Sequence, residues 1–332
     1  MFGDPLVNAD VCVVVPARDA RETLPGTLSA IAAQDVEATV EVIVVDDGSR
    51  DRTGEIAASL GARVLSLSPP AGPALARNAG AAASAAGAIA FTDADCLPSP
   101  AWLRAGLAAL ADADLVQGAV TPQPGVARGP FDHTLSVDGD GARLFESANL
   151  LVRRELWEAL GGFEPFVSGD EGASRRGLRP RHGTEHFGED VVLGWRAVRS
   201  GARVTFAPDA LVVHRVVTRG AGGYVAARRR LRYFPALLND VPELRGELVA
   251  GTFLTRRTAA FDAGVVAVLA ALLSRRAWPL VGVLPYARLG PLCGAGWWRR
   301  PAAYENAVRA AADLVGLVSL LEGSVAARRA VL

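Results

Sequence analysis

The chain contains no lysine: its 35 cationic side chains are all arginine, and they are matched by 35 carboxylates. A formal net charge of zero excludes a nucleic-acid polyanion as principal partner, because affinity for phosphate backbones grows with unbalanced positive charge. Cysteine is also scarce. Cys12, Cys96 and Cys293 are odd in number and widely separated, with no pair at metal-ligand or redox spacing. That pattern excludes a disulfide framework and leads to the expectation of a reducing, cytoplasmic setting. Met1–Asp10 has neither a basic start nor an apolar run, so no signal peptide is read there. The G-x-G-x-x-G turn of a nicotinamide-dependent Rossmann enzyme is missing after the first apolar run.

Hydrophobic residues, by contrast, make up half of the 332 positions, enough for one large α/β domain with an appended segment. The zero net charge conceals an asymmetry. Arg219–Leu332 holds 16 Arg against 7 acids, leaving 19 against 28 before it. The acidic part suits cations, and the basic, apolar part suits an anionic membrane surface.

Short runs rich in Val and Ile at Val11–Val15, Val40–Val45, Arg63–Leu67, Ala88–Phe91 and Leu115–Val120 alternate with Ala- and Leu-rich helical stretches. This is the pattern of a parallel sheet wrapped by helices. In such sheets ligands sit beyond the carboxyl ends of the strands. The residues there are Pro16-Ala17-Arg18-Asp19, Asp46-Asp47-Gly48-Ser49 and Thr92-Asp93-Ala94-Asp95. Further along, a strand is expected over Asn149–Arg153 and a helix over Glu155–Leu160 that stops at Gly161. A second helix should run from Gly188 to about Ser200, followed by two strands, Arg203–Phe206 and Leu211–Val217. The Gly- and Arg-rich segment Glu164–Gly188, with His182 and His186, reads as a long loop bordering an acceptor site.

Asp93 and Asp95, at i and i+2 of an extended chain, point to one side and can share a site. On spacing alone such a pair is more often a helix cap or a solvated turn, and Pro98 as a helix start fits that reading. Arg77 lies in a helix of small neutral residues, where its forked donors suit a phosphate or a base edge as well as plain solvent. Glu189 and Asp190 fall in a helical first turn, a position that favours acids for dipole reasons alone. His214 interrupts the apolar strand Leu211-Val212-Val213 and needs polar partners there.

The ordered set Val15-Pro16-Ala17-Arg18-Asp19, Val44-Val45-Asp46-Asp47-Gly48-Ser49, Ala76-Arg77-Asn78-Ala79-Gly80, Thr92-Asp93-Ala94-Asp95 and Gly188-Glu189-Asp190 resembles family 2 glycosyltransferases of the GT-A fold over about the first 218 residues. The resemblance implies a Rossmann-like, mostly parallel sheet over 1–222, whereas 223–332 reads from its own residues as a helical, apolar extension. It implies transfer of a sugar from a UDP- or GDP-sugar to an acceptor hydroxyl, with inversion and with Mn²⁺ or Mg²⁺. By the same resemblance Pro16, Ala17, Asp19 and Asp47 form the base pocket, Arg77 and Asp93 bind the donor, and Asp95 and His214 hold the metal. Asp190 is then the base. Two carboxylates beside a diphosphate would repel it unless a hard cation intervenes, which agrees with that reading. Asp19 departs from the usual Glu of the first motif, and the order Gly194-Trp195-Arg196 departs from that of processive polymerases. The competing readings are a non-catalytic nucleotide-sugar-binding scaffold and a GT-A-like nucleotidyltransferase. The latter would want a Gly-rich, basic loop where Pro16–Asp19 stands.

In the tail, Phe261–Ser274 has 14 residues, roughly 21 Å of helix against a hydrocarbon layer of roughly 30 Å. Arg275-Arg276 follows, and Trp297-Trp298-Arg299-Arg300 lies beyond. Aromatics beside arginine favour an interfacial helical hairpin over a packed soluble domain or a transmembrane pair. A basic, apolar tail raises the expectation of a lipid-linked or cell-envelope acceptor, met at the inner face of the cell membrane.

Overall fold

The computed structural model describes residues 9–139, 144–164, 187–289 and 300–332. The chain divides into two compact units, one ending at Val217 and the other formed by Thr218–Leu332 with Arg128–His133.

The first unit is built on eight strands: β1 (Val11–Ala17), β2 (Val40–Asp46), β3 (Arg63–Ser66), β4 (Ala88–Thr92), β5 (Cys96–Pro98), β6 (Leu115–Pro122), β7 (Asn149–Arg153) and β8 (Val204–His214). Their order in the sheet is β3-β2-β1-β4-β7-β6-β8-β5. Val11–Val15 and Val42–Val45 are wholly buried, as strands covered on both faces must be. The expected parallel arrangement holds for β3-β2-β1-β4 and for β6-β8, whereas β7 runs antiparallel to both β4 and β6, and β5 antiparallel to β8. The sheet is therefore mixed, and parallel where the first three motifs lie.

Two local expectations change. In place of two strands after Arg203 there is a single β8, whose pairing with β6 slips between Gly118 and Ala119 and so absorbs Pro208-Asp209-Ala210. Pro98 ends β5 and starts no helix; β5 pairs with Val212–His214.

Six helices accompany the sheet among the described residues: α1 (Leu24–Ala32), α2 (Thr53–Ser59), α3 (Pro73–Ala82), α4 (Trp102–Leu110), α5 (Arg154–Leu160) and α6 (Glu189–Arg199). Helix α3 can lie close to the sheet because Gly80 has no side chain; a Cβ there would come within 2.4 Å of Val14 Cγ1. Under α3, the rings of Phe91, Trp157 and Phe163 pack with centroids 5.0–5.3 Å apart. A buried polar group ties the antiparallel part together. Asn149 accepts from Trp102 Nε1 at 2.7 Å and donates to the carbonyls of Ala119 and Ala210, both at 2.7 Å. No apolar side chain could satisfy those groups together.

The second unit is helical: α7 (Ala221–Ala227), α8 (Phe234–Asp240), α9 (Arg256–Ser274), α10 (Leu284–Leu289) and α11 (Arg300–Ala327), with 3₁₀ turns at Arg228–Tyr233, Pro242–Glu247 and Trp278–Val283. Helix α9 starts earlier than Phe261 because Thr255 and Thr258 cap it reciprocally. Its 19 residues, like Ala302–Ala327 within α11, are long and apolar enough to cross a membrane by length and composition. Asp313 of α11 accepts from Arg257 at 2.7 Å and from Tyr286 Oη at 2.6 Å, so an ionic cluster sits within these apolar helices.

Candidate active site

The turns after β1 and β2 are locked to each other. Asp47 N–H donates to Ala17 O at 2.9 Å, Asp19 N–H to Ser49 Oγ at 3.0 Å, and Arg50 N–H to Asp19 Oδ1 at 2.7 Å. Asp19 adopts φ 50°, a left-handed conformation that short Asp tolerates better than a longer acid, which gives a local reason for Asp in this motif. Asp47 is buried, and its two oxygens accept from Ala71 N–H at 2.6 Å and Gly72 N–H at 2.8 Å. Each carboxylate oxygen retains a second lone pair for a ligand donor. Pro16 and Ala17 close the end of β1 beside them.

The third turn is held by its backbone. Cys96 N–H donates to Asp93 O at 3.1 Å, Thr27 Oγ1 to Ala94 O at 3.0 Å, and Arg215 N–H to Asp95 O at 3.1 Å. The two carboxylates are thereby presented to different partners. Asp93 Oδ1 accepts from Arg77 Nη2 at 2.7 Å, while Asp95 Oδ2 faces His214 Nε2 at 3.7 Å. Burial, then the neighbouring Asp93, raises the Asp95 carboxyl above its ordinary range, whereas His214 pulls it down. A cation at this point would relieve both penalties.

His214 and Asp95 fit a divalent metal. The His214 Nδ1 lies 2.7 Å from Arg215 O, which places a ring hydrogen on Nδ1 and leaves Nε2 as the nitrogen turned toward Asp95. The 3.7 Å gap suits two ligands flanking one ion at roughly 2.1 Å each. Cys96 Sγ is also within 4.8 Å of this pair, but burial pushes its thiol far up, leaving a carboxylate oxygen and an imidazole nitrogen as the available donors.

Arg77 is not an exposed helical arginine. It is 5% exposed, stands 5.6 Å over the Phe163 ring, and pairs with Asp93 and, at 3.8 Å, with Glu189. Helix α6 thus brings its first-turn acids to the same guanidinium that orders Asp93. Gly188, at φ 76°, starts that helix. Asp190 Oδ1 accepts from Val191 N–H at 2.9 Å and Oδ2 from Ser147 N–H and Oγ at 3.3 Å. Burial first, then Glu189, lifts its carboxyl to about 6, against the opposing pull of Arg77 and the two amides.

The structure therefore gathers Arg77, Asp93 and Asp190 into one cluster and Asp95 with His214 into an adjoining one. Pro16, Ala17, Asp19 and Asp47 form a group of their own at the ends of β1 and β2. His182 and His186 lie outside the described residues. Glu146 is the acid that sequence reasoning missed. It is pushed up to about 8 by burial and then by Asp190 and Asp93. Nothing in Phe145-Glu146-Ser147 marks it, because the groups around it come from α3, the turn after β4 and α6.

Against known proteins, the profile of Glycosyl transferase family 2 matches residues 12–160. Glycosyltransferase AglE of Haloferax volcanii is 29% identical over 219 residues, covering 61% of this chain and 66% of that protein. Pre-mycofactocin glycosyltransferase of Mycobacterium tuberculosis is 30% identical over 226 residues, covering 62% of this chain and 43% of that one. This chain thus spans less than two thirds of the length of either relative. Among solved structures, a mannosyltransferase of Pyrobaculum calidifontis in complex with GDP-Man and Mn²⁺ superposes with a TM-score of 0.56 at 20% identity, covering 96% of this chain and 88% of that one. At that identity the likeness is one of fold.

Proposed function

Because the chain belongs to glycosyl transferase family 2 and has the GT-A fold, we propose that it transfers a sugar from a UDP- or GDP-sugar to an acceptor hydroxyl, with inversion and with a divalent metal. The observation that carries this reading is the pairing of Asp95 with His214 at 3.7 Å beside the cluster of Arg77, Asp93 and Asp190. In this reading Pro16, Ala17, Asp19 and Asp47 receive the base of the nucleotide. Arg77 serves the donor by holding Asp93, which faces the ribose or the metal. Asp95 and His214 would hold Mn²⁺ or Mg²⁺, whose charge, when bound, offsets that of the departing diphosphate.

Asp190 takes the proton of the acceptor hydroxyl as that oxygen bonds to the anomeric carbon, and the bond from that carbon to the diphosphate oxygen breaks. The nucleoside diphosphate leaves on the opposite face, so one displacement inverts the configuration, and the site contributes mainly alignment. A carboxyl lifted to about 6 is still ionised at pH 7 and more basic than an ordinary aspartate. The acceptor class we propose is lipid-linked or a cell-envelope glycan, met at the cytoplasmic face of a membrane; the apolar, Arg-bearing tail supports it.

The test is Asp190→Asn. Nucleoside diphosphate release from the donor in the presence of acceptor extract should fall by about 10²–10⁴-fold, while donor binding persists. Full activity in the variant removes Asp190 as the base.

A further inference from the structure

In α9 the usual placement of side chains is inverted. Its buried positions are small or ionic, namely Ala260, Asp262, Gly264 and Ala267. Its large apolar side chains face out. Leu269, Leu272 and Leu273 of α9, Trp278 and Val281 of the following turn and Leu284 of α10 are 53–86% exposed. The small residues are where the hairpin closes on itself: a Cβ at Gly282 would meet Ala267 Cβ at 2.8 Å, and one at Gly264 would lie 3.8 Å from Val283 Cα. A helix pair stabilised by water exclusion would bury the leucines. Small residues at the contact with leucines outside is the arrangement found where the surrounding solvent is itself apolar. Scattered exposed leucines are ordinary on a soluble protein, but a contiguous patch of this kind marks a binding surface.

The charge around the patch identifies what covers it. From Ala263 to Leu289 there is no Asp or Glu, whereas Arg275, Arg276 and Arg288 are present and exposed. A second copy docking the same face would bring these arginines together across a two-fold axis. An anionic surface would instead be attracted, and Trp278, beside the arginine pair, suits the boundary between headgroups and acyl chains. The depth is limited as well. Outward-facing leucine and valine on α9 begin at Val266, and Arg257 and Asp262 stand before it. Val266–Leu273 rises roughly 12 Å, less than one leaflet of a hydrocarbon layer of about 30 Å.

We propose that the α9–α10 hairpin docks its outward apolar face, Val266 to Leu284, into the interface of a membrane containing anionic phospholipid, without spanning it. This gives the acceptor setting proposed above a specific contact, and it rests on that reading only for its biological sense, since none of these residues belongs to the donor site.

The experiment is flotation of the full chain with vesicles of phosphatidylcholine alone and of phosphatidylcholine mixed with phosphatidylglycerol. Association with the anionic vesicles that high salt weakens is expected. Leu273→Glu with Trp278→Glu should abolish it without lowering the melting temperature, since both side chains stand in the open. Arg275→Gln with Arg276→Gln should weaken it by roughly 20–30-fold, at about fivefold for each arginine near the surface. The proposal is overturned if the wild type stays with the unbound fraction, if the Leu273/Trp278 variant floats like the wild type, or if that variant converts a dimer to a monomer with no vesicle binding in either. Protein that only detergent releases from vesicles would show a span and overturn it too. Nucleotide-sugar binding by the Leu273/Trp278 variant, measured in parallel, separates failure of this inference from failure of the transferase reading.

Discussion

Arg77 and Glu146 show how one charge balance sets the chemistry of the site. A guanidinium buried among Asp93, Glu189 and Asp190 is compensated by carboxylates, while Glu146 and Asp190 are raised first by burial and then by the neighbouring carboxylates it leaves unneutralised. Both acids hold their protons more tightly in the folded chain than in an unfolded one, at about 8 against 4.5 for Glu146 and about 6 against 3.8 for Asp190. The sign follows directly. The folded state binds the extra protons, so these groups cost stability at high pH, and the cost disappears as pH falls through the folded values toward the unfolded ones. Glu146→Gln should therefore stabilise the protein at pH 8–9, by something of the order of 1 kcal/mol once solvent screening is allowed for. The gain should shrink toward pH 4.5. Denaturation midpoints of both proteins across that range check it, and a constant difference, or a loss at high pH, contradicts the placement of Glu146. Such a trade of stability for reactive acids is ordinary at active sites.

At the scale of elements, helix α6 carries the proposed base and depends on a glycine to do so. A Cβ at Gly194 would come within 2.0 Å of the Phe145 ring, which is buried and belongs to a residue at φ 51°. Phe145 lies two residues before Ser147, whose N–H and hydroxyl donate to Asp190 of the same helix. Gly194→Ala should destabilise by about 1–3 kcal/mol through overpacking. The change should be read as a lower urea midpoint at unchanged slope, with transfer activity reduced; an unchanged midpoint would mean that α6 has room to shift. The same elements show what the sequence made legible. The valine runs of β1 and β2 declare themselves because buried parallel strands need no polar alternation, and Gly161 announces the end of α5 by its left-handed turn. Strand β8 was not readable as one piece, since Pro208-Asp209 looks like a turn and only the slip in β6 pairing carries the strand through it. Pro98 has the local signature of a helix start, yet a partner more than a hundred residues away makes it the end of a strand. The motif acids were legible as residue types; that Arg77 is their shared, buried counter-ion was not, because its neighbours Asp93 and Glu189 are distant in sequence.

At the scale of the whole molecule, the acidic and basic parts of the chain fall into two compact units with different chemistry. One concentrates carboxylates at the carboxyl ends of a sheet. The other turns leucines outward between arginines. The first carries the account's central claim, that Asp95 and His214 hold a metal through which a nucleotide sugar is bound. A ligand that binds only the folded state raises the melting temperature by mass action, so binding can be read without knowing the acceptor. The direct measurement is the thermal shift of wild type and Asp95→Ala with a panel of UDP- and GDP-sugars, each with and without Mn²⁺. The account predicts that one or more donors stabilise the wild type by about 2–3 kcal/mol at a hundredfold excess over the dissociation constant, only when Mn²⁺ is present, and that Asp95→Ala loses the effect. A donor shift of equal size without metal, or one that survives in Asp95→Ala, would contradict it.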